Sequence, residues 1–192
     1  MAQEEQEDLL SPVSELGLVK WLLAELHDDL GGKVSRFRQL VDLSGALGPN
    51  GTMMPGGRTT YAAWNEARIS YVHGNYIATV LLCQGLAEHL LAAELSLTLG
   101  AEPLPDRISF QETLRRSLER GLISQRDAED LRRLMSLRNP LSHYRDINDP
   151  SNIERRALDT MVPTEAHLFA DASFAIGMAV RLLALPSFRL GR

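Results

Sequence analysis

The chain has 192 residues, 44% of them apolar but only 6% aromatic, a balance that suits one helical domain rich in leucine and alanine and argues against two independent domains. A formal net charge of −5 speaks against a protein that coats nucleic acid non-specifically. The single cysteine excludes an internal disulfide framework, and Cys83, inside an apolar run, reads as a small buried residue rather than a reactive thiol.

Met1 to Asp8 is acidic and polar, opposite in character to a secretory signal, so a cytoplasmic location is expected. Ser11-Pro12 opens a helix with Leu16, Val19, Leu22, Leu23 and Leu26 at helical spacing. Gly31-Gly32 is expected to interrupt it, and Val34 to Leu43 supplies a second piece with Val34, Phe37, Leu40 and Val41 on one face. Together they read as a helical hairpin packed against the core or a partner. Gly45 to Arg58 contains five glycines and two prolines. It marks the expected boundary between an N-terminal helical extension, residues 1–58, and a helical core, residues 59–192.

Thr59 or Thr60 is placed to cap the next helix, which runs through Trp64 and Ala67 toward His73-Gly74. A break there and a continuous helix to Leu99 both fit. Ile77, Leu81, Gln84, Glu88, Leu91 and Leu95 form one stripe with three- and four-residue steps. Glu88 then has two readings. It lies among leucines, where a carboxylate needs a donor or a proton and Arg138 is the expected partner, or it sits in solvent at the edge of the stripe.

Gly100 is expected to stop this helix, and Glu102 to Pro105 to form an extended connection. Ser109-Phe110-Gln111-Glu112 reads as a capping box, with Phe110, Leu114 and Leu118 inward and Gly121 at the end. Ser124 to Asp127 repeats the signal before a helix expected to end at Arg138. Asp146 to Asn152 reads as a loop and Ile153 to Thr160 as a short helix. Pro163-Thr164 opens a last long helix with Leu168, Ala172, Ala175, Ile176, Ala179, Leu182 and Leu183 on its buried side. The tail from Pro186 is expected to fray. No strand run appears, so the fold class is all-α, a helical bundle. Two segments approach membrane-span length, but Glu88 and Glu94 in one and Asp171 and Arg181 in the other make lipid costly, and both read as core helices with no membrane contact.

Charge is distributed unevenly. Residues 1–30 hold eight acids against Lys20 alone, whereas residues 107–156 hold eleven arginines against eight acids. Many of these arginines have partners at the favourable i,i+4 spacing, as in Glu112 with Arg116 and Glu129 with Arg133. Arg138 stands apart because it continues the Leu131, Leu134 stripe, and a guanidinium on a core-facing side needs a carboxylate, a phosphate or a solvated cleft.

Arg138 and His143 would lie roughly 140° apart on an unbroken helix. Proline disfavours helical dihedrals before it and suits a first helical position, and asparagine is a good cap. Asn139 is therefore expected to cap a new helix from Pro140, with the kink turning Arg138 and His143 together. Asn139 has a second reading as a residue that orients phosphate or histidine. The other histidines, His27, His73, His89 and His167, lack paired ligand spacing, so no zinc site and no cofactor is expected. Ser142, His143 and Asp146 do not imply a triad, and no phosphate-binding glycine loop is present.

The run Arg138-Asn139-Pro140-Leu141-Ser142-His143 resembles the Arg-x4-His signature of HEPN domains, and the likeness extends over roughly residues 60–185 with Glu88 inside it. The resemblance implies an all-α domain that cleaves RNA without metal, in a toxin or antiviral defence setting. His143 would deprotonate the ribose 2′-hydroxyl, and Arg138 would stabilise the phosphorane. It also implies a homodimer that brings two motifs into one cleft, and an antitoxin or defence-system partner protein. Family members modified by a partner nucleotidyltransferase carry a tyrosine two residues after the histidine. Here Tyr144 follows directly and Arg145 takes that place, so adenylylation is not expected. Non-catalytic members of the family supply the competing expectation, a binding or assembly module in which Arg138 and His143 are structural.

Overall fold

The computed structural model describes residues 14–97 and 103–190. The expected helix start at Ser11-Pro12, the acidic segment before it and the Gly100 stop lie outside these residues. Among the described residues the chain is all-α. Its helices are α1 (Glu15–His27), α2 (Leu30–Ser44), α3 (Gly57–His73), α4 (Tyr76–Leu97), α5 (Phe110–Glu119), α6 (Gln125–Ser142), α7 (Ile153–Thr160) and α8 (Thr164–Leu183), with a 3-10 turn at Gly45–Leu47.

The bundle is built around α4, which packs against α3, α5, α6 and α8. Its two apolar sides bury Val80, Cys83, Leu86, Ala87, Leu90, Leu91 and Leu95. Helix α4 is long and apolar enough to cross a membrane, with 44% of that stretch buried in the bundle, and α8 passes the same test with 50% buried. Burial pushes the Cys83 thiol far above its ordinary range, which leaves it a packing atom rather than a nucleophile.

Three polar ties fix the helices against each other. Arg156 on α7 donates two hydrogen bonds to Asp171 on α8, at 2.6 and 3.1 Å, and Asp171 is almost wholly buried. Arg181 on α8 reaches Asp127 at 2.7 Å and Asp130 at 2.9 Å on α6. Tyr71 on α3 bonds Gln39 on α2 and Ser173 on α8. The α3–α4 corner turns at Gly74, whose φ of 82° is left-handed and suits a residue without Cβ.

Several local expectations need correction. The break after α1 falls at Asp28-Asp29, where Asp29 is left-handed and its side chain caps α2, so Gly31 and Gly32 lie inside α2. Capping at Asp29 satisfies the Gly32 amide and is worth more than the glycines cost. On α2 only Leu40 of the expected apolar face is buried, while Val34, Phe37 and Val41 are exposed. Helix α3 starts at Gly57, ahead of Thr59 and Thr60, and Thr60 is buried within it. Ser109 caps α5, but Glu112 does not complete the box because its carboxylate is drawn to Arg115 and Arg116. Ser124 and Asp127 form both halves of a capping box. Glu129 accepts from Gln125, and Arg133 instead stacks over the Phe174 ring at 4.2 Å. The segment after Pro186 does not fray as far as Leu190: Phe188 is buried, and Thr52 pairs with Arg189 in an isolated antiparallel bridge.

Candidate functional site

Helix α6 delivers the Arg138–His143 pair, but by a different route from the one the sequence suggests. The helix does not end at Arg138. It runs through Pro140 to Ser142, and His143 is the C-cap in an extended conformation, φ −133° and ψ 134°. Proline removes one backbone donor, and in the last turn that costs a single bond to the Ser136 carbonyl. Leu137 and Leu141 pack on the core cluster and hold the turn in register. The amide of His143 still donates to the Asn139 carbonyl at 3.0 Å.

Asn139 is therefore no N-cap. It is half-buried inside α6, and among the described residues its side chain makes no hydrogen bond, while its carbonyl accepts from His143 and from the Ser142 hydroxyl. Ser142 Oγ also reaches the Arg138 carbonyl at 3.3 Å. These bonds satisfy carbonyls at the end of the helix that no further turn covers.

The departure from helix at His143 changes the angular relation that would otherwise separate residues 138 and 143. Arg138 Nη1 lies 3.5 Å from His143 Nε2. A guanidinium can only donate, so Nε2 is the acceptor in any hydrogen bond between the two side chains. Arg138 is half-buried and His143 exposed, so the pair lies at the surface.

The loop beyond α6 fixes the direction in which this corner points. Asp146 accepts from the Asn148 amide, Asp149 from the Ser151 amide and hydroxyl, and Asn152 from the Glu154 and Arg155 amides at the start of α7. Asn152 also donates to the Arg145 carbonyl at 2.9 Å. Bonds from the Ser151 hydroxyl and amide, with Arg145 nearby, hold the Asp149 carboxyl below its usual range. Successive side-chain-to-backbone turns tie the corner to α7, which the Arg156–Asp171 pair fastens to α8. The spacing of Asp and Asn over residues 146–152 is a turn signal readable in the sequence, although it does not disclose the tie to Arg145.

Glu88 is not part of this corner. It accepts from Gln84 Nε2 at 2.6 Å, one helical turn away, and lines a separate groove with His89, Asp106, Arg107 and Thr113. The expected Arg138–Glu88 ion pair does not form among the described residues. The two residues lie on α4 and α6, which pack against each other, and which of their side chains meet is a relation that stripe periodicity within one helix cannot supply.

Most arginines of the basic stretch have structural partners. Arg115 and Arg116 pair with Glu112, Arg120 caps the Leu95 carbonyl, Arg155 pairs with Asp159 and Arg156 with Asp171. Arg107, Arg126, Arg132 and Arg138 have no carboxylate partner among the described residues, and of these Arg138 is the one whose side chain has a hydrogen-bonding neighbour, His143. No cluster of three or more His, Cys, Asp or Glu side chains able to hold a metal ion occurs among the described residues. The arrangement can donate two or more hydrogen bonds to an anion from Arg138 and move a proton at His143 beside it. No family model, no curated protein and no solved structure matches the chain.

Proposed function

We propose that the protein is a metal-independent endoribonuclease of the HEPN type and that Arg138 and His143 carry the reaction. The observation that supports this reading is the exposed Arg138–His143 contact, together with the absence of a carboxylate for Arg138 among the described residues. A permanently charged side chain held at the surface beside an imidazole, with no structural counter-ion, is suited to an anionic ligand.

In the proposed reaction Arg138 turns from His143 to the scissile phosphate. That movement frees Nε2, and His143 then accepts the proton of the ribose 2′-hydroxyl as its oxygen attacks phosphorus. The bond to the 5′-oxygen breaks, leaving a 2′,3′-cyclic phosphate and a 5′-hydroxyl. Arg138 stabilises the added negative charge of the phosphorane through its paired donors. A second copy supplies the acid that protonates the departing 5′-oxygen. Asn139, with its side-chain amide unused among the described residues, is the neighbouring group available to orient phosphate. Glu88 has no step in this scheme. The setting proposed is a cytoplasmic toxin or antiviral defence system with a protein partner that restrains the activity.

A second reading is favoured by one observation: the pair sits at the C-terminal end of α6, where exposed carbonyls disfavour an anion. In that reading the domain is a non-catalytic assembly module. The deciding experiment incubates wild type and His143→Ala with mixed RNA in EDTA and analyses fragment ends. Cyclic-phosphate ends from wild type alone are expected. Intact RNA with the wild type overturns the nuclease, and equal cleavage by His143→Ala overturns the role of His143 in it.

A further inference from the structure

Helix α1 carries Leu16, Leu18, Val19, Trp21, Leu22, Leu23 and Leu26, every one of them 49% exposed or more, and it buries no residue. A helix apolar on all sides is normally buried, and an exposed patch of this kind marks an interaction surface. Its position is built rather than incidental. Lys33 Nζ reaches the carbonyls of Glu25, Leu26 and Asp28 at the end of α1. Asp29 caps α2 and pairs with Arg36 at 2.9 Å, and Arg36 is buried and also bonds the Val72 carbonyl at the end of α3. This elbow holds α1 away from the bundle.

The same chain carries a matching groove. Phe37 and Leu40 of α2 face Ile69 and Val72 of α3 across an opening of about 470 Å³, edged by His73 and Arg68. Phe37 and Ile69 are more than half exposed, and Val34 and Val41 extend the apolar surface along α2. Arg68 Nε is shielded from solvent yet has no hydrogen-bond partner. On α1, Glu25 follows Leu18 and Leu22 at i+7 and i+3, which puts a carboxylate on an apolar stripe. On α1, which also carries Glu15 and Lys20, Glu25 thus stands among apolar side chains, and in the groove the Arg68 guanidinium lies over the Trp64 ring at 5.5 Å with its Nε still unpartnered. The elbow keeps carboxylate and cation apart within one chain.

We infer that two copies exchange α1: the helix of each protomer lies in the α2–α3 groove of the other, with Glu25 toward Arg68. Two-fold exchange makes both contacts identical and closes the assembly as a dimer. The inference does not depend on the nuclease reading, because neither Arg138 nor His143 takes part.

The test is solution mass by light scattering on Leu22→Glu, which spoils the helix, and Phe37→Glu, which spoils the groove. Both positions are exposed, so circular dichroism should show unchanged helicity. Wild type is expected at twice the chain mass of 21.3 kDa, and each variant alone at the single mass. An equal mixture of the two variants should recover dimer, since one intact helix then meets one intact groove. A monomeric wild type overturns the inference. So does a Phe37→Glu dimer, which would mean that α1 pairs with α1, and so does a monomer that binds anionic phospholipid vesicles through α1.

Discussion

Two arginines less than twenty positions apart do opposite work. Arg156 is locked by two hydrogen bonds to the buried Asp171 and joins α7 to α8. Arg138 ends up half-buried at a helix terminus with a single long contact to an exposed imidazole. The first is a structural side chain, since breaking a buried pair strands a charge. The second has no comparable bond to lose, and its charge remains available to a ligand. The difference teaches that an arginine's role is set by the carboxylate that the fold brings to it, not by the hydrophobic stripe on which it lies.

The comparison is tested first at the corner. His143→Ala should lower RNA cleavage at least about a hundredfold, the usual scale for losing a general base, with an unchanged thermal melt. Arg138→Lys keeps the charge but not the paired donors, and should lower the rate by about tenfold or more. Its stability should stay within about 0.5 kcal/mol of wild type in urea titration. If Arg138→Ala unfolds the protein as readily as loss of the α7–α8 tie does, the contrast between the two arginines fails.

Asp171→Ala should cost about 3 kcal/mol in urea denaturation, the lower end for a broken buried pair because Arg156 retains some access to water. Gly74→Ala forces a Cβ into the left-handed turn between α3 and α4 and should cost about 1 kcal/mol, read by the same titration.

The smallest effect concerns acid. Hydrogen bonding from Arg36 holds the Asp29 carboxyl below its ordinary value. A depressed carboxylate contributes its stability above the unfolded value, near 3.8, and loses it as pH falls through the lower folded value. Wild type should therefore outlast Asp29→Asn slightly at neutral pH, and the gap should close at the acid end of a pH-dependent melt. The Glu112 carboxyl, drawn down to about 2 by hydrogen bonds from Arg115 and Arg116, should stay charged through most of that titration.

Periodicity and capping chemistry, both local, were readable along the chain. The stripe through Leu91 and Leu95 marks α4, Ser109 and Ser124 mark the starts of α5 and α6, and the bounds of α7 follow from turn residues on one side and spacing on the other. Arg138 and His143 were also legible as a pair, because a helix end near Asn-Pro had to change their angular relation. The manner of that change was not. Proline at position 140 forfeits one hydrogen bond in a final turn whose leucines pack on the core, so the helix continues to Ser142 and the turn comes at His143 instead.

Sequence alone determined that the chain is helical, where α5, α6, α7 and α8 begin, and that an arginine and a histidine meet at the end of one helix. Tertiary structure alone decided which charges find partners across helices: Phe174 takes Arg133 and Asp171 takes Arg156, while Glu88 stays with Gln84 on its own helix and Arg138 with the nearby His143. Helical spacing is a property of neighbours a few residues apart, whereas an ion pair between helices depends on their packing angle and register, which many distant side chains set together.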